Sequence, residues 1–468
     1  MCEQSDLGVV GLGNMGQNLS KNFARRGIKV SVLNRITAGE QNVVSEFIQQ
    51  NDSLSCNISG FKDLELFVNS LKRPRKILLM ITAGATVDEV IGSLILLIGK
   101  KDIIIDGGNS HYQDTDRRVK ILRDVGIHFI GCGISGGLSG ALNGPALMPG
   151  GSKEGWDAIK DLFQKISVVE GCTTPYCNLI GPDGSGHFVK MVHNGIEYAL
   201  MQIIAESYDY LVKLLHLSNE QISSIFEKWN NGLLGGYLME ITYEIITLKD
   251  SNGILVLDDV IDSVNQKGTG KDIAICALEH DVVVSTITEA VNARFVSNMN
   301  QSRSIFSQKI ISNAPVDHEN VISSLFDCIY CSQLIAISQG IELISEVSRR
   351  RSWNIDIRNV LSSWDQGCII RSKILKNFNF SLENNTLNEF LMSEISSPKL
   401  NNFTKSVSLG IQHQVPLPVT SAALAYHQAL CSSSLPSNLI QLQRDYFGSH
   451  GFEKKSKKGQ LSHLSKDI

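Results

Sequence analysis

The sequence predicts a doubly wound, Rossmann-type α/β domain followed by a large all-helical domain and a short tail. Two observations carry this prediction. Short, wholly apolar runs alternate with helix-like stretches through about the first 180 residues, as in sheets of buried parallel strands. Beyond about residue 186 the apolar residues recur with a period near 3.6 and candidate strands nearly vanish, which is typical of packed helices.

In the first region, strand and helix signals follow one another closely. A strand at residues 7–10 leads into a helix at residues 15–26, which Gly27 closes. Further buried strands are predicted at residues 28–33, 77–81, 103–105 and 128–130. We therefore expect the first domain to span residues 1–182.

The second region, residues 183–435, contains two similar halves. Two pairs of segments match in order: residues 202–207 with residues 333–338, and residues 225–232 with residues 360–367. The offsets of 131 and 135 residues agree within a small insertion, which favours an internal duplication over chance similarity between amphipathic helices. One ambiguous candidate strand remains, at residues 282–284.

The last region, residues 436–468, is a tail that follows a break in the helical pattern at residues 432–436. It carries a lysine run at residues 454–458. Because it has few apolar residues and many charges, we expect this tail to be too polar to fold alone.

Composition excludes several classes of protein. The chain has 468 residues, of which 43 % are hydrophobic and 19 % charged, so large cores are expected and disorder is not. The 43 basic and 47 acidic residues give a net charge of −4, which excludes a general polyanion-coating protein, and no nucleic-acid partner is expected. No membrane association is expected either, since no apolar run reaches the roughly 18 residues of a membrane span.

The compartment and the thiols are predicted together. The acidic start of the chain excludes a signal peptide, so we expect a cytoplasmic protein whose ten cysteines are reduced. Cys328 and Cys331 form a C-x-x-C pair, but no second pair or histidine pair stands near it in the sequence. No metal site is therefore expected.

A dinucleotide fingerprint, Gly11-x-Gly13-x-x-Gly16, lies between the first predicted strand and the first helix. The first glycine permits the tight turn, the second lets a pyrophosphate approach the backbone, and the third lets helix and strand pack closely. The N-terminus of the helix then offers free N–H groups to the phosphates. A glycine turn without a ligand is the alternative interpretation.

The end of the second predicted strand distinguishes NAD from NADP. An NAD enzyme usually carries Asp or Glu there to bind the ribose 2′-hydroxyl, whereas this chain has Asn34 and Arg35. A guanidinium can hold a 2′-phosphate with two hydrogen bonds, while a carboxylate would repel it. We therefore predict NADP, with a plain surface arginine as the alternative.

Two glycine-rich segments, residues 106–110 and residues 133–137, each follow a predicted strand. Open α/β sheets bind ligands at this edge. Tight turns alone would explain the glycines, but Asn109 and Ser135 add polar groups. Both turns are therefore predicted to contact a ligand.

The segment at residues 184–198 combines a glycine-rich start with an unusual polar face. If the segment is helical, one face carries Lys190, His193, Asn194, Glu197 and Tyr198. A solvated amphipathic face is the alternative, although such faces are mostly Glu and Lys. Composition alone leaves both interpretations open.

Five motifs in order along residues 7–450 resemble 6-phosphogluconate dehydrogenase (decarboxylating). They lie at residues 11–18, 104–110, 184–198, 266–271 and 444–450. The last two distinguish this family from the shorter β-hydroxyacid dehydrogenases. The resemblance implies conversion of 6-phosphogluconate and NADP to ribulose 5-phosphate, carbon dioxide and NADPH, by a homodimer.

The resemblance also implies roles for individual residues. Lys190 is implied as the general base for the C3 hydroxyl, and Glu197 as the acid that protonates C1 of the enediol. The implied substrate-binding residues are Asn109, Ser135, Gly136, Gly137, His193, Asn194, Tyr198, Lys267, Arg294, Arg444 and His450. The last two are implied to reach the site from the tail of the other subunit. The implied cofactor-binding residues are Gly11, Leu12, Gly13, Asn14, Met15, Gly16, Asn34, Arg35, Ile36, Ile81, Thr82, Ala83 and Asn109.

The chain departs from the family pattern at three positions. Thr82 stands where many members have Lys, Asn265 where Gly or Ala is usual, and Asp272 where Trp is common. Two other functions remain as alternatives. A β-hydroxyacid dehydrogenase for a small acid without phosphate would not need Arg294 and Arg444, and a non-catalytic NADP-binding sensor would not need the catalytic pair.

Overall fold

The computed structural model describes residues 4–35, 39–168, 177–265, 268–306 and 317–464. The strands in these ranges are β1 Leu7–Val10, β2 Val30–Leu33, β3 Ile58–Phe61, β4 Lys76–Leu79, β5 Ile103–Asp106, β6 His128–Ser135, β7 Ala146–Gly151, β8 Phe452–Lys454 and β9 Lys457–Ser462. The helices of the sheet region are α1 Asn14–Arg25, α2 Val43–Gln50, α3 Leu64–Asn69, α4 Ala85–Leu94, α5 Tyr112–Asp124, α6 Gly137–Asn143 and α7 Lys153–Ser167, with a short 3₁₀ turn at Asp52–Leu54.

The remaining helices follow without a further sheet until the tail. They are α8 Ser185–Leu215, α9 Asn219–Asn231, α10 Tyr237–Ile245, α11 Val256–Asp259, α12 Thr269–Glu279, α13 Ser285–Ser297, α14 Asn300–Phe306, α15 His318–Arg351, α16 Ile357–Asp365, α17 Lys373–Ser381, α18 Leu387–Glu394, α19 Ser397–Gln412, α20 Pro418–Cys431 and α21 Ser437–Gly448. The predicted Rossmann-type domain followed by a helical region is confirmed.

The seven-stranded sheet has the order β3-β2-β1-β4-β5-β6-β7. All neighbouring strands are parallel except β6 and β7, which are antiparallel. Residues of one strand alternate between two buried apolar clusters, since Ile103 and Ile105 join one cluster and Ile104 the other. This two-sided burial explains the wholly apolar runs in the sequence. The strand order reverses between β1 and β4, which places a ligand crevice at the carboxyl ends of these strands.

Two strands of this sheet, β3 and β7, were not predicted, and the predicted turn at residues 133–137 is partly wrong. Strand β6 continues through Ser135 and α6 begins at Gly137, so only Gly136 lies between them. The glycines inside β6 hid the second half of the strand, because glycine normally weakens one. Here they let α8 pack closely: a Cβ on Gly133 would lie 2.3 Å from the Cβ of Lys190. Tertiary packing therefore overrides the local preference.

The core of the helical region is one continuous apolar cluster around two long helices, α8 and α15. By length and composition α15 could cross a membrane, but 78 % of its most apolar 18-residue stretch is buried inside the protein, which fits a core helix. Residues 282–284 connect α12 to α13 and are not a strand.

The internal duplication is visible in the order of the helices. A long helix, a short helix and a second short helix follow one another as α8, α9 and α10, and again as α15, α16 and α17. The starts of α10 and α17 meet at an antiparallel bridge between Gly236 and Ser372. The two halves therefore join at equivalent points of the repeat.

The tail, predicted to be too polar to fold alone, has regular structure within the whole chain. Helix α21 is followed by the hairpin β8–β9. Asp445 organises this unit, since its carboxylate accepts hydrogen bonds from the backbone N–H groups of Gly451 and Leu464, at 2.7 Å each. Local hydrogen bonding thus replaces the missing apolar core. Tyr446 and Phe447 remain exposed on this helix in the single chain.

Candidate active site

A cavity of about 690 Å³ lies between the carboxyl ends of the parallel strands and helix α8. Its lining residues are Met15, Met80, Ile81, Thr82, Ala83, Gly107, Gly108, Asn109, Ile134, Ser135, Gly136, Gly137, Lys190, Asn194, Glu197, Tyr198, Thr269 and Ile369. The structure thus brings the predicted cofactor and substrate residues into one space.

In the turn between β1 and α1, each of the three glycines is present for a different reason. Gly11 has φ +99°, and a Cβ there would lie 2.4 Å from the carbonyl oxygen of Met80. A Cβ on Gly16 would lie 2.0 Å from the carbonyl oxygen of Gly11. At Gly13 nothing lies within 4 Å of a Cβ, and φ is −65°. The fold therefore requires Gly11 and Gly16, whereas Gly13 leaves open space for a ligand.

The N-terminus of α1 has no side-chain cap. Its first N–H groups are therefore available to an anion. Leu12 and Asn14 complete the turn, and the Leu12 backbone N–H donates to Oδ1 of Asn34 at 2.9 Å. This bond connects the glycine turn to the end of β2, where the adenosine end of a dinucleotide binds in this fold.

Arg35 stands at the end of β2, largely exposed, with Nε 3.6 Å from Oε2 of Glu40. Its guanidinium can therefore turn toward a 2′-phosphate at little cost, because an exposed ion pair contributes under about 1 kcal/mol. Ile36, the next predicted cofactor residue, lies outside the described residues.

The predicted polar face of residues 184–198 is a helical face in α8, and it points into the cavity. The solvated-face alternative fails because Lys190 is 7 % exposed, His193 0 % and Tyr198 8 %. Lys190 Nζ lies 3.4 Å from Nδ1 of His193, and His193 Nε2 lies 3.0 Å from Oγ of Ser135. Glu197 Oε2 lies 3.8 Å from the same Nδ1. A base, an imidazole and an acid thus form one buried group.

Burial shifts the pKa of each of these three side chains. It lowers the pKa of Lys190 to about 8, against the opposing charge of Glu197. Burial also lowers the pKa of His193 well below its usual range, aided by the Lys190 charge, and raises that of Glu197. Burial therefore favours the neutral form of all three side chains, the imidazole, the lysine amine and the carboxyl, relative to the same groups in water.

Arg294, on α13, packs its guanidinium 3.4 Å from the centre of the Tyr198 ring. This stacking holds a cation at the rim of the cavity beside Glu197, whose charge it also feels. The family resemblance implied Arg294 and Tyr198 as substrate-binding residues, and the structure places them together.

Three other predicted substrate residues are not seen at the cavity. Lys267 is outside the described residues. Arg444 and His450 belong to the tail and are exposed. They are not among the cavity-lining residues of their own chain.

The three departures from the family pattern have different positions. Thr82 lines the cavity, Asp272 lines a small adjoining cleft with Asn109, and Asn265 is exposed. Only the first two therefore face the ligand space.

The sequence did not predict that the segment at residues 364–369 packs against the site. The ring of Trp364 packs edge-on against His193 with centroids 5.8 Å apart, and the backbone N–H of Ile369 donates to Oγ of Ser135. A Cβ on Gly136 would lie 2.3 Å from the carbonyl oxygen of Gly367. The signal was present, since this segment is the second copy of the Trp-containing repeat.

The cysteine pair Cys328 and Cys331 lies inside α15, fully within the core. Burial raises the pKa of the Cys331 thiol to about 12 and that of Cys328 well above its usual range, so both are inert thiols. Across the described ranges, no group of three or more His, Cys, Asp or Glu side chains could hold a metal ion.

The fold, the dinucleotide turn and the cavity beside it define a nicotinamide-dinucleotide dehydrogenase. Residues 6–178 match the family model described as the NAD binding domain of 6-phosphogluconate dehydrogenase, and residues 186–465 match that of the C-terminal domain of 6-phosphogluconate dehydrogenase. The chain belongs to the 6-phosphogluconate dehydrogenase family.

Relatives match over nearly the whole chain. The decarboxylating 6-phosphogluconate dehydrogenase of Treponema pallidum is 40 % identical, over 98 % of this chain and 96 % of its own length. That of Ovis aries is 40 % identical, over 99 % and 96 %. The solved 6-phosphogluconate dehydrogenase of Plasmodium falciparum, studied with NADP⁺ and with 6-phosphogluconate, superposes with a TM-score of 0.92 at 37 % identity, covering 98 % of this chain and 99 % of that one.

Proposed function

We propose that this chain oxidatively decarboxylates 6-phosphogluconate to ribulose 5-phosphate and carbon dioxide while reducing NADP to NADPH, a step of the oxidative branch of the pentose phosphate pathway. The observation that carries the proposal is that Lys190 and Glu197 line the cavity beside the dinucleotide turn, with the buried His193 between them. Full-length similarity to decarboxylating 6-phosphogluconate dehydrogenases supports it. The alternative enzyme, acting on a small acid without phosphate, does not account for Arg294 at the cavity rim.

The residues at the cofactor end fit NADP. The open space at Gly13 and the uncapped N-terminus of α1 suit the pyrophosphate, and Arg35 suits the 2′-phosphate. Residues 81–83 and Asn109 would surround the nicotinamide end. When bound, NADP accepts a hydride from C3 of the substrate.

Lys190 is the proposed general base. With a pKa near 8 it is partly neutral at physiological pH, so its Nζ can take the C3 hydroxyl proton as hydride leaves C3. The protonated lysine then stabilises the negative charge that develops on the 3-keto oxygen as the carboxylate leaves as carbon dioxide, and it returns its proton to that oxygen to give the enediol. No metal ion is needed for this step, because the ammonium group itself supplies the positive charge.

Glu197 is the proposed acid. It lies one turn beyond His193 on the same face, and burial raises its pKa, which favours the protonated form that is proposed to donate to C1 of the enediol. His193 and Asn194 are proposed to orient the sugar acid, with Ser135 and the backbone of residues 136–137 as further hydrogen-bonding groups.

The phosphate of the substrate needs cations, and one chain supplies only part of them. Tyr198 and Arg294 stand at the rim, and Lys267 is proposed to join them. Arg444 and His450 are proposed to come from the partner of a homodimer. The exposed apolar residues of α21 support this assignment, since they have an unburied face to cover.

The domain limits and compartment are proposed on related grounds. The family models meet between residues 178 and 186, which supports a boundary between domains at 1–182 and 183–435. The separate tail at 436–468 is proposed from the break in the sequence pattern at residues 432–436. The cysteines in the described ranges are all free thiols, which supports the cytoplasm.

A direct assay tests the function. Purified protein with NADP and 6-phosphogluconate is expected to produce an absorbance rise at 340 nm and one carbon dioxide per NADPH, whereas 3-hydroxyisobutyrate should give little. A flat trace from folded protein would end the enzyme proposal, and preference for 3-hydroxyisobutyrate would favour the alternative enzyme.

The Arg35→Asp substitution is expected to raise the KM for NADP and to reverse or abolish the preference for NADP over NAD. A carboxylate there repels the 2′-phosphate and can bind a 2′-hydroxyl instead. The ratio of kcat/KM for the two cofactors is the measurement. An unchanged ratio would show that Arg35 is a plain surface residue.

The Gly13→Ala substitution is expected to leave stability nearly unchanged but to raise the KM for NADP by about tenfold or more, or about 1.4 kcal/mol. The added methyl meets open space in the free protein and blocks the pyrophosphate only when the cofactor binds. Thermal unfolding and KM are measured side by side. Gly16→Ala is the control, because its Cβ would collide with the backbone and should lower the stability of the free protein. Equal KM values for Gly13→Ala and the wild type would contradict the proposed pyrophosphate site at Gly13.

A further inference from the structure

We propose that Arg118 is a positioning residue that joins the two ligand-binding loops of the cavity and so sets the distance across which hydride moves. The proposal rests on the proposed dehydrogenase function. Arg118 lies on α5 with its side chain 1 % exposed, behind the cavity wall. It touches neither substrate nor cofactor space and acts through the loops it holds.

The guanidinium of Arg118 contacts both loops at once. On one side, Nε and Nη2 donate to the two carboxylate oxygens of Asp88 at 2.9 and 3.1 Å, and Nη2 also donates to the Gly84 carbonyl at 2.9 Å. On the other side, Nη1 donates to Ser110 Oγ at 3.2 Å and to Asp106 Oδ2 at 3.4 Å. All five N–H groups of the side chain thus have an acceptor.

These two loops carry opposite ends of the proposed reaction. Gly84 closes the loop that begins at residue 81 and lines the nicotinamide side. Asp106 and Ser110 flank the loop that presents Asn109. The loops also touch each other, because a Cβ on Gly108 would lie 3.1 Å from the carbonyl oxygen of Ile81. A shift of either loop therefore changes the geometry between cofactor and substrate.

Asp106 extends the same network to the catalytic helix. Its carboxylate also accepts from Ser110 Oγ at 2.6 Å and from the Gly108 backbone at 3.0 Å. Its carbonyl oxygen lies 3.1 Å from Nε2 of His187, one turn before Lys190 on α8. Arg118 thus anchors a buried set of bonds that reaches from the cofactor loop to the helix of the general base.

Only an arginine can make these contacts together. A lysine would keep the positive charge beside Asp106, but it has three N–H groups at one point and cannot hold Asp88, Gly84 and Ser110 simultaneously. The Arg118→Lys substitution therefore removes the hydrogen-bonding geometry of the guanidinium while keeping a positive charge beside the buried Asp106.

The experiment compares wild type, Arg118→Lys and the matched control Arg117→Met. Arg117 also pairs with Asp88, at 2.9 Å, but has no contact with either loop. Steady-state kcat, the kinetic isotope effect on kcat with 6-phosphogluconate deuterated at C3, and the Kd for NADPH are measured on protein shown to be folded.

For Arg118→Lys we expect kcat to fall about tenfold or more, since misplacement by about 1 Å can cost a hundredfold. The isotope effect should rise because hydride transfer becomes slower than product release, and the Kd for NADPH should increase several-fold. Arg117→Met should match the wild type in all three. A merely structural role would lower the unfolding temperature and leave the isotope effect unchanged.

Wild-type kcat and isotope effect in folded Arg118→Lys would overturn the proposal. If Arg118→Lys does not fold, Asp88→Asn is tested instead. This substitution removes one of the two carboxylate oxygens that accept from Arg118, at a partly exposed position. An unchanged kcat and isotope effect in Asp88→Asn would also overturn the proposal. If the wild type itself makes no NADPH, the proposed function fails. The Kd for NADPH still tests the role of Arg118 in that case, because equal Kd values for the wild type and Arg118→Lys would contradict its positioning role.

Discussion

Replacing Lys190 with alanine or methionine is expected to lower kcat for NADPH formation by about 10³-fold or more. General-base catalysis contributes about 10²–10⁴-fold, and the same ammonium then stabilises the charge on the 3-keto oxygen. Methionine keeps most of the side-chain volume without the charge, so it tests the chemistry without opening a cavity.

Two controls accompany this loss. NADPH should bind Lys190→Met with nearly wild-type affinity, because Lys190 lies on the substrate side of the cavity, and thermal unfolding should show an intact fold. Substantial turnover by folded Lys190→Met would remove Lys190 from the mechanism.

The pH dependence of kcat/KM is a second test of Lys190 as the general base. Because Lys190 must be neutral to accept the proton, kcat/KM should rise with pH through about 8 and fall about tenfold per unit below it. The Glu197 carboxylate raises the pKa of Lys190, so in the residual activity of Glu197→Gln this acidic limb should move to lower pH. A shift to higher pH, or none, would contradict the electrostatic coupling of the pair.

Replacing Arg444 with alanine is expected to raise the KM for 6-phosphogluconate by about 10- to 100-fold, with a smaller change for NADP. A hydrogen bond between charged groups contributes about 1.5–3 kcal/mol. Truncation before Arg444 should have at least this effect. Lys455→Ala, an exposed tail lysine in the hairpin turn, is the matched control and should leave KM unchanged.

Mixed dimers test whether each tail completes the active site of its own chain or that of the partner subunit. Lys190→Ala and Arg444→Ala chains carrying different tags are co-expressed, and the doubly tagged dimer is purified. If each tail serves the other subunit, one site carries both lesions and the other none, so about half of the wild-type activity should return with a normal KM. If each tail serves its own chain, both sites are damaged, and any activity at high substrate concentration should show the raised KM of Arg444→Ala.

Sequence alone determined the fold class, because a parallel strand covered on both faces must be apolar throughout, as at residues 103–105. It also determined the polar face of α8, since the 3.6-residue period places Lys190 and Glu197 on one side of any helix. The dinucleotide turn followed from its glycines and its position between strand and helix. These features depend on residues close together in the chain.

Tertiary structure alone decided what depends on contacts between distant residues. The length of β6 depends on α8 packing against Gly133, the wall at Ile369 on the second half of the repeat, and the role of Arg118 on two loops that meet only in the folded chain. The low pKa of Lys190 likewise arises from burial by surrounding elements. Burial and hydrogen-bond partners are properties of the packed molecule, so no local pattern of residue types could have shown them.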